Sequence, residues 1–237
     1  MTSAADNGPA WLDRAADRSP AVQRSRDRSA RRAAALVDAA HRLMTRKGSA
    51  FTTQELVKEA GVALQTFYRH FAGKDQLLLA VFERIISEEA ARSARAARRL
   101  KDPVDRLRLH VTEPFTSLRG RRNTTQARFM TAEHWRLYQL FPDEMNRARQ
   151  AYTDLIEQAL RTATAAGRLS STDPAKDAWL INQLVTSAYH HFSFAEDPRR
   201  VDEIVDQLWT FCLAAVGGRP EVKGPTDGRR EGLSQGP

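Results

Sequence analysis

The chain has 237 residues, of which 41% are hydrophobic and 28% charged. That is room for one large globular domain or two small ones. Its single cysteine, Cys212, excludes an intramolecular disulfide. No apolar run has the length of a membrane span, and no apolar h-region follows the N-terminus, so a cytoplasmic protein without membrane contact is expected. The formal net charge is +8. The basic surplus lies in the first hundred residues, whereas 101–217 is balanced, which fits a polyanion-binding module joined to a neutral one.

In chain order the pattern is helical nearly throughout. Residues 1–27, rich in Ala, Asp, Ser and Pro at their start, are expected to form a disordered arm, with a basic stretch at Arg24–Arg32 leading into the first helix. Leu36, Ala39, Ala40, Leu43 and Met44 then share one helix face, and Gly48 stops that helix. Thr52 with Glu55 has the spacing of a capping box, opening a short helix over 53–60 that Gly61 ends. A second short helix is expected over about 63–70, before Gly73. From Lys74 a long helix runs to about Arg99 with Leu77, Leu78, Val81, Phe82, Ile85 and Ile86 on one side. Pro103 opens a helix over 103–118 with a kink at Pro114. Others follow over 124–140, from Pro142 to Gly167, over 174–195 and over 198–216. Residues 218–237, rich in Gly, Pro and charge, are expected to be disordered. The fold class is therefore all-α.

Two helices of about eight residues joined at a glycine form a helix-turn-helix. Leu56, Val57, Val62 and Phe67 would face inward. Leu64, Gln65 and Thr66 would then face out on the second helix, where an amide can pair with an adenine edge and a methyl can meet a thymine methyl. Thr53, Tyr68, His70 and Lys74 offer hydroxyl, ring and cationic donors suited to phosphate, and Lys74 opens a helix whose N-terminus favours anions.

The stretch TTQELVKEAGVALQTFYRHFAGKDQLLLAVF resembles the DNA-binding domain of the tetracycline-repressor (TetR) family. Thr-Thr opens the first helix, Ala60-Gly61-Val62 makes the turn, Phe67-Tyr68-x-His70-Phe71 forms the second helix, and Lys74 precedes Leu77-Leu78. The likeness covers about residues 30–85. It implies a homodimeric one-component regulator, usually a repressor, with a DNA-binding domain at 28–73 and an effector-binding and dimerisation domain at 74–217. Such a protein binds double-stranded operator DNA and a small effector and needs no cofactor. Ala63 departs from the family, which often has serine there, and alanine supplies no capping oxygen. Leu64 and Gln65 are also uncommon choices, so the operator cannot be borrowed from a relative.

Aromatic and soft residues gather in two C-terminal stretches. Met130, His134, Trp135 and Tyr138 lie in one; Trp179, Tyr189, His190 and Phe194 in the other. Together they are the expected pocket for a largely apolar effector, and the polar-tipped members, with Asn182, would orient it. His190 and His191 are adjacent on a helix and point about 100° apart, so no metal site is expected from them. The final helix is apolar nearly all round, with Val205, Leu208, Trp209 and Cys212 among its residues. Such a helix needs cover on several sides. With Leu184 and His191 of the preceding helix these residues are the expected dimer seam. No nucleophile motif, phosphate loop or metal constellation is present, so no enzymatic activity is expected. An activator, or a regulator answering to a protein partner, is the alternative to a ligand-released repressor; an all-α enzyme is a remote one.

Overall fold

The computed structural model describes residues 19–119, 121–195 and 198–219. Among them are nine α-helices and no strand. These are α1 (Pro20–Lys47), α2 (Thr53–Ala60), α3 (Leu64–His70), α4 (Lys74–Ala97), α5 (Pro103–Thr112), α6 (Arg121–Leu140), α7 (Pro142–Ala165), α8 (Pro174–Phe192) and α9 (Pro198–Ala215). Short 3-10 turns cover Gly48–Ala50 and Glu113–Arg119. The proline punctuation is obeyed: Pro20, Pro103, Pro142 and Pro174 each occupy a first turn, where the missing N–H costs nothing.

Two expectations change. The disordered arm over 1–27 gives way at Pro20, because α1 runs 28 residues from there. Ala and Arg favour helix once Pro20 fixes the first φ, although nothing is buried before Leu36. Residues 1–18 and the expected tail from 220 lie outside the described residues. At Pro114 the chain does not kink within a helix; α5 ends at Thr112 and tightens into the 3-10 turn.

The core has two parts. One joins the inward faces of α1, α2 and α3 to the first half of α4 and to Phe129, Met130, Leu137 and Met145. The other, centred on Phe115, Ile156, Val185 and Leu213, is built by α5, α7, α8, α9 and Ala90 of α4. Helix α4 thus passes from one core into the other. Helix α7 packs on α4, α5 and α8 and is the centre of the C-terminal half. Gly217 has φ 74° and sits where a Cβ would lie 1.8 Å from Ser170 Oγ, so only glycine lets the chain close there after α9.

Candidate functional site

The helix-turn-helix forms as its residues dictate. Thr52 Oγ1 accepts from the Glu55 amide at 3.2 Å, and Glu55 Oε2 accepts from the Thr52 amide at 2.8 Å. This closes the capping box. The Lys47 ammonium, then the Thr52 amide, pulls the Glu55 carboxyl down to about 2. Gly61 adopts φ 66°, the left-handed conformation that ends α2 and turns the chain into α3. Ala63 caps α3 with no side-chain bond. Phe67 is 1% exposed, with the Tyr68 ring edge-on at 5.0 Å and Phe71 stacked at 6.1 Å. That anchor sets the orientation of the rest. Leu64, Gln65, Tyr68 and Arg69 are exposed, and Thr66 and His70 are half-buried. Tyr68 stands 58% exposed, which no packing need explains. Arg69, four residues after Gln65, adds a cation to the same face, and its spacing could have marked it from the sequence.

Thr53 is half-buried at the start of α2. The expectation for Lys74 is amended. Its ammonium is half-buried, donates to the Phe51 carbonyl at 2.8 Å and lies 4.4 Å from the Phe51 ring centroid. Burial lowers its pKa. Lys74 thereby fastens the start of α4 to the segment leading into α2, an internal task that the sequence did not announce. Arg42, Arg46 and Lys47 are likewise engaged, with Glu59 and Glu55. The exposed arginines of α1 lie earlier, and Arg24, Arg28 and Arg31 follow one helix face at i, i+4, i+7.

A cavity of about 100 Å³ lies between α4, α6, α7 and α8. Of the expected pocket residues it is lined by Met130, His134, Tyr189 and His190. A more polar, wider hollow of about 400 Å³ adjoins it and holds Trp135, Tyr138 and Trp179. His134, Arg149 and Asn182 line both, so the two are successive parts of one recess. The apolar part is the better match to a small molecule, although the other is larger, because a mostly hydrocarbon lining with a few polar groups is what holds one. Phe194 lines neither; it is exposed, beside Arg128 at 5.9 Å.

His134 and His190 have ring centroids 4.5 Å apart. Burial first, then neighbouring positive charge, pushes both down to about 4, so both are neutral at pH 7. Burial raises the Tyr189 hydroxyl to about 12, and Ser117 Oγ donates to it at 3.4 Å. Tyr138 donates to Asn146 Oδ1 at 3.1 Å. Asn182 Nδ2 donates to Thr153 Oγ1 at 2.8 Å. The remaining lining was missed by sequence reasoning. Phe82, Ile85 and Glu89 come from α4, and Arg149 and Tyr152 from α7. Those helices have no local aromatic clustering to mark them.

The expected dimer seam is corrected in part. Val205, Leu208, Trp209 and Cys212 point into the chain's own core, Cys212 with 1% exposure. The apolar residues of α9 are covered by α5, the 3-10 turn and α8, while Asp202, Glu203, Asp206 and Gln207 stay exposed. What stays outside is Phe211, 65% exposed, with Leu180, Leu184 and His191 of α8. A buried Ser93–His110 pair, 2.8 Å apart, lines none of these cavities, and substrate could not reach it. Among the described residues no three His, Cys, Asp or Glu side chains form a metal cluster, and no helix is long and apolar enough to cross a membrane.

Residues 36–81, from the buried part of α1 to the first turns of α4, match the family described as bacterial regulatory proteins, tetR family. A TetR-family transcriptional regulator from Pectobacterium atrosepticum superposes with TM-score 0.70 over 82% of this chain and 99% of its own, at 18% identity. FadR from Bacillus subtilis in complex with stearoyl-CoA does so at 0.62, over 78% and 98%, with 18% identity. AibR in complex with isovaleryl coenzyme A and operator DNA does so at 0.52, over 76% and 97%, with 20% identity. At such identities the likeness is one of fold. None of the curated proteins matches the sequence. Fold and N-terminal unit define a DNA-binding transcriptional regulator of the helix-turn-helix class. Within that class residues 36–81 carry the tetR-family signature, and the solved structures that share the fold include TetR-family regulators.

Proposed function

We propose that the protein is a repressor that binds a palindromic operator as a homodimer and leaves it when a small, largely apolar effector fills the recess between α4, α6, α7 and α8. The observation that carries this is the position of α4. Its first residue, Lys74, is fastened to the helix-turn-helix, and three turns on, Phe82, Ile85 and Ile86 wall the cavity. Helix α6 repeats the connection. His134 lines the cavity while Arg136 holds Asp75 at 2.6 Å, beside Lys74. A ligand that displaces either helix therefore acts on the start of α4.

In this reading Gln65, Leu64 and Thr66 address base edges from α3, while Tyr68, Arg69, His70 and Thr53 address phosphate. The functional division falls at Gly73, even though the first half of α4 packs with the N-terminal core. The second subunit covers Leu180, Leu184, His191 and Phe211, and the two α3 helices then lie about one DNA turn apart. The ligand shifts a balance between DNA-competent and incompetent dimer shapes, by its difference in affinity for the two. Selection of bound duplexes from a random pool, repeated with candidate effectors, tests this. A palindromic consensus that a cavity ligand releases is expected. Binding without sequence preference, or an operator complex strengthened by every ligand that enters the cavity, would contradict it.

A further inference from the structure

The recess has a charge that no described residue pairs with. Arg149, half-buried on α7, directs Nη2 to Gln183 Oε1 at 2.5 Å and to Thr186 Oγ1 at 2.8 Å, both neutral. Among the described residues no carboxylate reaches it, and its donors on Nε and Nη1 meet no protein acceptor. A guanidinium taken from water without an anion is costly, and chains seldom leave one so. The groups around it do not supply the anion. His134 and His190 are neutral imidazoles, each with an N–H to donate, and Tyr138 and Asn182 are uncharged. Arg149 lies where the polar hollow meets the apolar cavity, since it lines both. Phe82, Ile85, Met130 and Val185 wall the apolar cavity. Glu89 also borders the apolar cavity but not the polar hollow, and burial lifts its carboxyl to about 7.

We infer that the effector is a small amphipathic monocarboxylic acid, its carboxylate held by Arg149 with imidazole N–H groups of His134 and His190, its hydrocarbon body in the apolar cavity. This rests on the recess being the effector site and names the chemistry it takes. A carboxylate accepts from the planar guanidinium in the geometry that binds it best. The apolar walls leave a second carboxylate without a cationic partner, so a monoacid fits and a diacid does not.

The test separates this chemistry from the effector reading itself. The full-length dimer is titrated with the neutral fluorophore N-phenyl-1-naphthylamine, which reports cavity occupancy irrespective of charge. It is then displaced with matched pairs: phenylacetate against phenylacetamide, and hexanoate against hexanamide. At least one acid is expected to displace it at a concentration about tenfold below its amide, the scale of one charge-assisted hydrogen bond. Arg149→Gln should abolish that preference, and Arg149→Lys should keep part of it, with helix content by circular dichroism unchanged in both. Equal displacement by acid and amide would overturn the carboxylate while leaving the cavity as an effector site. So would a preference that survives Arg149→Gln, or a bound fluorophore that no acid displaces at about 10 mM, the weak end of the affinity scale. If neither fluorophore nor acid binds, the effector reading falls and the inference with it.

Discussion

Single side chains on α3 and at the start of α4 divide into those that face outward and those that hold the unit together. Gln65 is exposed on the face that Phe67 turns away from the core. Gln65→Ala is expected to cost about 1–3 kcal/mol on the preferred operator and little on scrambled DNA, as removal of a bidentate hydrogen bond to a base does. Equal losses on both, measured by fluorescence anisotropy, would take the base-reading role from it. Lys74 behaves differently because its ammonium is occupied by the Phe51 carbonyl and ring. Lys74→Ala should lower folding stability by about 2–4 kcal/mol, the combined scale of a charged hydrogen bond and a cation–π contact. Its slope of log K against log salt should match the wild type. A slope smaller by about one, with stability intact, would return Lys74 to the phosphate backbone.

At the scale of elements, the last two helices and the first one make separate predictions. Phe211→Glu places a charge on the outer face of α9, where only another subunit could bury it. It should produce a folded monomer by light scattering and circular dichroism. Leu208→Arg places its charge in the chain's own core and should destabilise by more than about 4 kcal/mol, losing the fold rather than the dimer. A folded Leu208→Arg monomer would move the seam back to the inner face of α9. On α1, Arg24, Arg28 and Arg31 form an exposed stripe ahead of the buried residues. Their joint replacement by alanine should weaken binding to all duplexes and lower the salt slope by about 0.9 for each phosphate no longer neutralised. An unchanged slope would remove this part of α1 from the DNA.

The molecule as a whole couples its sites through protons and through linkage. His110, His134 and His190 are held by burial near 4, below the ordinary value of 6.5. Between those values the unfolded chain binds more protons, so their contribution is fully present above about pH 6.5 and is lost as pH falls toward 4. Glu89, lifted to about 7, has the opposite sign: its contribution is full below the ordinary 4.5 and is lost as pH rises through 7. Three groups outweigh one, so the melting temperature should fall as pH drops from about 6.5 to 4.5. Glu89→Gln should raise it near pH 8 and not near pH 4.5, because glutamine mimics the protonated acid. A melting temperature flat over that range would mean that the histidines are hydrated. Linkage adds that operator must weaken a cavity ligand by the factor with which the ligand weakens operator; equal ligand affinities with and without DNA, read from Trp135 and Trp179, would exclude allosteric release.

Local chemistry was enough for much of this. The capping box at Thr52–Glu55, the left-handed turn at Gly61, the prolines that open α5, α7 and α8, and the outward face of α3 all depend on groups within four residues of one another. The sequence carries that information completely. It also showed that the C-terminal half holds an apolar recess, because aromatics cluster on α6 and α8. Three things needed the fold. Helix α9 carries apolar residues well beyond one face, and only the neighbouring helices decide that Leu208 and Cys212 meet the chain's own core while Phe211 does not. Lys74 looks like any basic residue at a helix start until Phe51, 23 residues earlier, is brought to its ammonium. Arg149 is one arginine in a charged helix until α8 offers it two neutral oxygens and no acid. Burial and charge balance are sums over residues far apart in the chain, and no local pattern contains them.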